Sequence, residues 1–289
     1  MAQSRGKIVK GVGGLYQVQT ENGVYSCAAR GLFRNQRISP AVGDDVEIET
    51  GSGLTGQIWD ILPRRNLLRR PTAANVDQAA VVIAARQPAP NPAMLDRLLL
   101  LLEKEKLGIV LCVNKWDLQP AEELARRYEL AGYPVCRLSA REDTGLEGLA
   151  VLLRGKTTVF AGPSGAGKSS LINRLAPAAA MATGELSAKI GRGKHTTRHA
   201  ELLALGQGTY LVDTPGFTSL ALDSLTLAEL PGLFPEFRPF LGLCAFADCA
   251  HDRDAGCAVR ARVGENIAPE RYRSYLEVRQ EIREKREQW

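Results

Sequence analysis

Long apolar runs are absent from this sequence, and their absence excludes a protein that spans a membrane. The longest uncharged leucine run, at 98–102, is followed at once by the charged residues EKEK. It is far shorter than the roughly 20 residues that a membrane helix needs. The N-terminus, MAQSRGKIVKG, also lacks the apolar stretch and the cleavage site of a secretory signal. We therefore expect a cytoplasmic protein, and in that compartment disulfides are rare.

Extremes of composition are absent as well. Hydrophobic residues make up 45% and charged residues 24% of the 289 positions, which excludes a disordered chain, a collagen-like repeat and a coiled coil. A chain of this length predicts two or three domains. Residues 1–70 are the most basic part, with ten lysines and arginines against six acidic residues. This excess suits a phosphate-backbone partner, but an ordinary solvated surface explains it equally well.

Five short β-strands with glycines at the corners are predicted between Gly6 and Leu62. Asn-Gly at 22–23 separates two alternating runs, LYQVQT and VYSCAA, and this is a strong hairpin signal. The pattern over residues 1–70 predicts a small β-barrel of the OB type, although an SH3-like barrel has nearly the same pattern. The cations of the barrel are Arg30, Arg34 and Arg37 around Phe33, or Lys7 and Lys10. A face that binds oligonucleotides and a surface of ordinary exposed charges explain them equally well.

Residues 71–220 have the pattern of an α/β domain. A charged segment bounded by prolines, PRRNLLRRP at 63–71, is predicted to lead into it from the barrel. The apolar strands VDQAAVVIAA, GIVLCVNK, YPVCRLSA and TTVFAG are interspersed with the helical patterns MLDRLLLLLEKEK and AEELARRYELA. This alternation indicates a parallel sheet that is covered by helices on both faces.

A glycine-rich motif, GPSGAGKS at 162–169, matches GxxxxGK[ST] between an apolar strand and a helix. Its glycines let the backbone wrap a phosphate chain, so that N–H groups and the helix N-terminus point at the phosphate oxygens. Lys168 would bridge the β and γ phosphates, and the Ser169 hydroxyl would bind Mg²⁺. The predicted phosphate-binding residues are Gly162, Pro163, Ser164, Gly165, Ala166, Gly167, Lys168, Ser169 and Ser170.

A second phosphate-related motif, DTPG at 213–216, follows the strand pattern YLV. Asp213 at the strand end can reach Mg²⁺ through water, and the N–H of Gly216 can sense a γ phosphate. The tetrapeptide is weak evidence alone, but beside a phosphate-binding loop it is a strong second element.

A base-reading motif, NKWD, follows the strand GIVLCV and comprises Asn114, Lys115, Trp116 and Asp117. The Asp117 carboxylate can accept hydrogen bonds from both N1–H and the exocyclic amine of guanine, whereas adenine offers no such pair of donors. Asn114 would brace the loops, and the Lys115 stem would lie along the base. Ser139 and Ala140, at the end of the next strand, fit the companion loop whose backbone contacts the guanine oxygen. Together these motifs favour guanine over adenine.

Residues 221–289 contain a cluster of metal-binding residue types, Cys244-x4-Cys249-x-His251-x5-Cys257. Three thiolates and one imidazole suit tetrahedral Zn²⁺, and four protein ligands leave no position for a catalytic water. We therefore expect one structural zinc in a C-terminal domain of helices and loops that needs the metal to fold. Reduced cysteines without metal, or a disulfide, are the alternatives.

The order of these motifs identifies a resemblance. NKWD, SA, GPSGAGKS, a threonine-containing loop (GRGKHTTRH) and DTPG are the five signatures of small GTPases, but here the base-reading pair comes before the phosphate loop. With the barrel in front and the Cys/His cluster behind, the chain resembles the RsgA (YjeQ/EngC) family of bacterial ribosome-assembly GTPases. The resemblance implies a central, circularly permuted P-loop GTPase domain that binds GTP/GDP with Mg²⁺. It also implies that the small ribosomal subunit and its rRNA are partners late in subunit maturation.

The residue that handles the attacking water needs a separate prediction. Many GTPases have a glutamine just after the DxxG element, but Phe217 stands there, and a phenyl ring cannot position water. His195, in the predicted first switch loop, matches the histidine that the family uses for this role; a loop histidine without a catalytic part is the alternative. Either Thr196 or Thr197 is expected to close on Mg²⁺ in the triphosphate state.

The final charged run, from Pro269 to Trp289, is predicted to be an amphipathic helix that packs on its own domain rather than on a partner. Two other functions compete with a ribosome-associated GTPase. One is a nucleotide-gated RNA-binding factor in which hydrolysis is incidental. The other is a membrane-linked signalling GTPase, which the lack of a lipidation motif and of a polybasic tail disfavours. A monomer is the default expectation.

Overall fold

The computed structural model describes residues 2–31, 33, 38–69, 72–177, 201–213 and 222–287. Both predicted domain boundaries, 70/71 and 220/221, fall outside these residues and stay predictions. None of the helices within the described ranges is both long and apolar enough to cross a membrane.

Five strands close a barrel at the N-terminus: β1 (Ala2–Val12), β2 (Leu15–Thr20), β3 (Gly23–Ala29), β4 (Asp45–Thr50) and β5 (Thr55–Ile61). Their pairing runs β1-β2-β3-β5-β4 and back to β1, and β3–β5 is the one parallel pair within this ring. Gly6 pairs with both neighbours of β1, and a Cβ there would lie 2.6 Å from the Gln19 carbonyl oxygen. Only glycine fits this closure point. The closed ring of five strands confirms the predicted OB-type barrel.

The barrel corrects the predicted nucleic-acid face in part. Phe33 is only 5% exposed and belongs to the core, so it is not available for stacking on a base. Lys7 pairs with Asp45 at 2.7 Å, and Lys10 pairs with Glu201 at 2.9 Å. Arg30 instead lies 3.5 Å above the ring of the exposed Trp59. Arg34 and Arg37 lie outside the described residues.

The segment predicted to link the two domains contains β6 (Leu67–Arg69), which pairs antiparallel with β7 (Thr72–Ala74) just after it. Arg64 donates a 2.6 Å hydrogen bond to Asp44, whose side chain is fully buried in the barrel. Arg65 forms an ion pair with Asp77, next to the following strand. Arg64 and Arg65 therefore attach this segment to the barrel and to the start of the next domain, which the pattern of charges along the sequence does not indicate.

The next region contains a six-stranded part of the sheet, in the order β10-β9-β8-β11-β13-β12, of which the first five strands are parallel. Alternate residues of β8 enter two separate cores: Ala79, Val81 and Ile83 enter one, and Ala80 and Val82 the other. The sheet is therefore buried on both faces, as predicted. The elements are β8 (Gln78–Ala84), α1 (Pro92–Lys104), β9 (Gly108–Asn114), α2 (Glu122–Leu130), β10 (Val135–Arg137), α3 (Leu146–Leu153), β11 (Thr157–Ala161), α4 (Lys168–Leu175), β12 (Glu201–Gly206) and β13 (Thr209–Asp213).

The barrel and this sheet are joined through their backbones. Lys10 of β1 is the pairing partner of Glu201 in β12, so the strands form one eleven-stranded sheet. Barrel residues such as Ile8 and Val46 share a hydrophobic core with Val76 and Val81. The sequence contains no signal for this long-range pairing.

The C-terminal region has three 3₁₀ helices, Leu230–Leu233, Pro235–Phe240 and Arg260–Arg262, and the long helix α5 (Pro269–Glu287). Phe234, Phe237 and Tyr275 form an aromatic core with ring centroids 5.0–5.5 Å apart. The prediction that the last helix packs on its own domain is confirmed, because Tyr275 and Ile282 are buried in this core.

A buried ion cluster ties α5 to α1. Arg271 is fully buried and lies 2.7 Å from Asp96 of α1 and 2.7 Å from Glu236. Tyr128 donates a 2.7 Å hydrogen bond to the same Asp96 carboxylate. Burial raises the pKa of this tyrosine, so it stays a neutral donor.

Candidate nucleotide site and metal centre

The glycine-rich loop connects the end of β11 to the start of α4, as its sequence predicts. Gly162 has φ 130°, and a Cβ there would lie 2.0 Å from the Val82 carbonyl oxygen of the neighbouring strand. Gly165 and Gly167 also have positive φ, 77° and 97°. Only glycine adopts this succession without strain, and the resulting concave backbone is a cradle for phosphate oxygens.

Lys168 closes the cradle from the helix side. Its ammonium donates hydrogen bonds to the carbonyl oxygens of Gly162 and Pro163, both at 2.8 Å. Burial lowers the pKa of Lys168, so a phosphate anion beside it would stabilise the charged form. Ser169 and Ser170 are exposed in the first helical turn, where a hydroxyl can reach a bound cation.

Asn114 connects three of the predicted motifs with a single side chain. Its Nδ2 donates to the Ala166 carbonyl at 2.9 Å, and its Oδ1 accepts from the Ala140 N–H at 3.0 Å. Asn114 is 2% exposed, and a Cβ on Gly167 would lie 2.2 Å from its Nδ2. The base-reading loops and the phosphate loop therefore meet at one buried amide.

A cavity of about 580 Å³ opens at this meeting point. Among the described residues, Asp117 Oδ1 is one of two buried side-chain polar atoms without a hydrogen-bond partner. A buried carboxylate oxygen without a partner is costly, and the two N–H donors of guanine would satisfy it. The cavity is lined by Gln87, Asn114, Lys115, Asp117, Leu118, Ala140, Arg141, Gly167, Ser170, Asn173 and Arg174.

Hydrogen bonds also hold the other residues of the NKWD and SA motifs in place around this cavity. Lys115 adopts φ 62° and its ammonium donates to the Gln87 carbonyl oxygen. The Trp116 N–H donates to the Leu138 carbonyl at 3.0 Å. Ser139 is buried, and its hydroxyl accepts from the Glu142 N–H at 3.1 Å.

Five of the lining residues were not predicted: Gln87, Leu118, Arg141, Asn173 and Arg174. Two of them were within reach of sequence reasoning. Asn173 and Arg174 lie three and four residues after Ser170, and these spacings place residues on one face of a helix. Gln87 has no such signal, because it reaches Lys115 only through tertiary folding.

The second phosphate motif begins where predicted. Asp213 is the last residue of β13, and β13 runs parallel to β11, with Val159 opposite Val212. Both strands therefore end at the same edge of the sheet, where the phosphate loop begins. His195, Thr196, Thr197 and Gly216 lie outside the described residues.

The four predicted metal ligands come together in the C-terminal region. The ligand atoms of Cys244, Cys249, His251 and Cys257 all lie within 4.8 Å of one another. His251 Nδ1 is 3.5 Å from the sulfurs of both Cys244 and Cys257. A cluster of three thiols and one imidazole at this separation can hold Zn²⁺.

A surrounding layer fixes these ligands. The N–H groups of Ala258 and Arg260 point at the sulfurs of Cys244 and Cys257, at 3.3 and 3.4 Å. From α5, Tyr272 donates to the His251 carbonyl at 2.9 Å, and Tyr275 donates to the Ala250 carbonyl at 2.7 Å. Such outer contacts orient metal ligands, and the sequence pattern of cysteines and histidine does not contain them.

The fold and the nucleotide site together define a circularly permuted P-loop GTPase, an enzyme that hydrolyses GTP. The sequence model of the RsgA GTPase matches residues 61–223, and that of the RsgA N-terminal domain matches residues 5–58. The chain belongs to the RsgA family. The resemblance found from the motifs is thereby confirmed, and family membership implies GTP/GDP and Mg²⁺ binding.

Relatives match this chain from end to end. The small ribosomal subunit biogenesis GTPase RsgA of Alkaliphilus metalliredigens is 46% identical to this chain. The alignment covers 98% of this chain and 99% of that protein. The protein of the same name from Caldanaerobacter subterraneus subsp. tengcongensis is 44% identical over 99% of this chain and 98% of its own.

Two solved structures share the whole fold. YjeQ from Thermotoga maritima superposes with a TM-score of 0.82 at 35% identity, covering 97% of this chain and 99% of its own. YloQ, described as a circularly permuted GTPase, superposes with a TM-score of 0.83 at 35% identity, covering 98% of this chain and 96% of its own.

Proposed function

We propose that this GTPase acts in late maturation of the small (30S) ribosomal subunit, binds ribosomal RNA and is stimulated by the subunit. One observation carries the proposal. The similarity to proteins named for small ribosomal subunit biogenesis, at 46% and 44% identity, runs through the barrel, the nucleotide domain and the cysteine cluster alike. The protein would act in the cytoplasm as a monomer.

The nucleotide would lie across the cavity and the glycine-rich cradle. Asp117 would read the N1–H and amine edge of guanine, because its Oδ1 is buried and has no hydrogen-bond partner among the residues that the structure describes. Residues 162–170 would hold the phosphates, with Lys168 on the β and γ phosphates. Ser169 and either Thr196 or Thr197 would hold Mg²⁺, with Asp213 acting through water and Gly216 sensing the γ phosphate. When bound, Mg²⁺ neutralises charge that develops on the phosphate oxygens.

Zinc would occupy the Cys244, Cys249, His251 and Cys257 cluster as a structural ion. The donor chemistry supports this assignment, since three sulfurs and one imidazole nitrogen complete a tetrahedral shell. A closed shell stabilises the fold of the surrounding loops and leaves no site for a reacting water.

The proposal also assigns RNA contacts to the two flanking modules. On the barrel, the Arg30–Trp59 stack presents a cation and an aromatic ring that is 41% exposed. Near the cysteine cluster, the exposed Arg253 and Arg260 accompany Phe246, which is 55% exposed. Cations bind phosphates, and aromatic rings stack on unpaired bases.

His195 would position the attacking water, in place of the glutamine that Phe217 replaces. We expect GTP turnover by the purified protein to rise in the presence of small ribosomal subunits, and we expect His195→Ala to lose this stimulation. Removal of a water-positioning group costs at least about a hundredfold in rate. GDP affinity of the variant, measured by calorimetry, should match the parent protein.

Turnover that subunits do not change would contradict ribosome stimulation and favour a nucleotide-gated RNA-binding factor. A variant that keeps full stimulation would remove His195 from the mechanism while leaving the partner assignment intact. Large ribosomal subunits serve as the control for non-specific binding to RNA.

A further inference from the structure

One arginine connects the phosphate-binding helix to the base-reading loop. Arg174 lies six residues after Lys168 in α4. Its Nε donates to the Ala140 carbonyl at 3.2 Å, and the same group lies 3.1 Å from the Asp143 carboxylate. The Arg174 side chain is half exposed, so its ion pair with Asp143 contributes little to stability. The hydrogen bond to the Ala140 carbonyl, in contrast, joins α4 to the backbone of the SA motif.

The loop that Arg174 holds is closed on itself. Ser139 and Thr144 exchange two backbone hydrogen bonds of 3.1 Å, and the Ser139 hydroxyl accepts from the Glu142 N–H. A loop closed in this way moves as a unit. Its placement relative to the phosphate loop therefore depends on its outside contacts, which include Asn114 at the Ala140 N–H and Arg174 at the Ala140 carbonyl.

These two contacts determine which backbone donor remains for the base. The Ala140 N–H is already used by Asn114 Oδ1. The next amide, Arg141 N–H, has no acceptor within the part of the chain that the structure describes, and Arg141 lines the cavity. In a trans peptide the C=O and N–H point in opposite directions. Holding the Ala140 carbonyl towards Arg174 thus turns the Arg141 N–H away from Arg174.

We propose that Arg174 is a positioning residue for guanine recognition, which orients the Ala140–Arg141 peptide so that the Arg141 N–H donates to the guanine O6. Arg174 also strengthens this donor, because a carbonyl that accepts from a guanidinium polarises the amide of the same peptide. Asp117 reads the opposite side of the same edge, N1–H and the amine. The inference rests on the proposed guanine site and adds the source of its O6 contact.

The test compares three diphosphates by calorimetry with Mg²⁺ present: GDP, IDP, which lacks the 2-amino group, and 6-thio-GDP, in which sulfur replaces O6 and accepts hydrogen bonds poorly. We expect Arg174→Ala to weaken GDP and IDP about tenfold each, the size of one charge-assisted positioning contact. Affinity for 6-thio-GDP should change by less than about twofold, because the contact that Arg174 supports is already weak. Arg174→Lys should restore part of the GDP affinity.

Arg126→Ala is the matched control, since Arg126 is exposed on α2, away from the residues that line the cavity. An equal loss of affinity for all three nucleotides would show that Arg174 has only a general structural role, and it would overturn the inference. Unchanged affinity for GDP in the variant would overturn it as well. Failure of the parent protein to bind GDP at all would refute the proposed guanine site itself, which distinguishes the two failures.

Discussion

At the scale of single residues, the nucleotide site depends on how closely its parts approach Asn114. This amide contacts the phosphate loop through Ala166 and the SA loop through Ala140. Gly167 lies so near that any side chain would collide with Asn114 Nδ2. The glycine is therefore needed for two reasons, its positive φ and the space that the amide occupies.

We expect Gly167→Ala to destabilise the protein by about 2 kcal/mol, because a left-handed alanine is strained and Asn114 must move. GDP affinity should fall by more than about tenfold, because the loop that carries the SA motif loses its hydrogen bond to Asn114. Urea unfolding and calorimetric titration measure the two effects. Gly148→Ala is the control: Gly148 lies in α3 with ordinary φ, and a Cβ there would have none of the described atoms within 4 Å, so this change should be neutral or slightly stabilising. Equal behaviour of the two variants would contradict the steric argument.

At the scale of secondary-structure elements, local patterns predicted most of the fold. The alternation in β2 and β3, the Asn-Gly turn and the apolar strands β8, β9 and β11 all carry their signal within a few residues. Motif residues at strand ends followed from the same reasoning. The pairing of β1 with β12 and the ion pairs of Arg64 with Asp44 and of Arg65 with Asp77 were not predictable, because they depend on contacts between residues far apart in sequence. The spacing from Ser170 places Arg174 on the face of α4 that lines the cavity, but its contact with Ala140 was not predictable, since the two residues are 34 positions apart.

The cysteine cluster provides a test at this scale. We expect Cys257→Ser, or treatment with a strong chelator, to release one zinc ion and to make the tract around residues 244–260 sensitive to proteases, because metal binding supplies much of the folding energy of such loops. Zinc content by atomic emission and limited proteolysis report the change. GDP binding should persist, since the nucleotide site is built on other hydrophobic cores.

Cys136→Ser is the matched variant, because Cys136 lies in β10, outside the cluster. It should keep one zinc ion per chain. A parent protein that contains no zinc after purification without chelators would refute the metal assignment.

At the scale of the whole molecule, the C-terminal region is held to the nucleotide domain through a charge cluster in the interior. Arg271 pairs with Asp96 and Glu236, and its guanidinium lies 4.7 Å from the centre of the Phe234 ring. Two carboxylates would remain buried without a cation if the arginine were removed. Their desolvation, rather than the loss of attraction alone, is the larger cost.

We therefore expect Arg271→Met to lower the free energy of unfolding by about 3–5 kcal/mol. Arg273→Met, two residues further along α5 and exposed, should stay within about 0.5 kcal/mol of the parent. Urea unfolding followed by far-UV circular dichroism measures both. A small effect of Arg271→Met would contradict the cost assigned here to leaving the two buried carboxylates without their cation.

The strand order gives the molecule a defined response to mechanical force. The chain enters the parallel sheet at the start of β8 and leaves it at the end of β13, and these strands flank β11 on either side. A pull on the chain at the start of β8 and at the end of β13 would load the β8–β11 and β11–β13 ladders in shear, so that their hydrogen bonds resist together rather than one by one. Such tension would act from both sides on β11, the strand that leads into the phosphate loop.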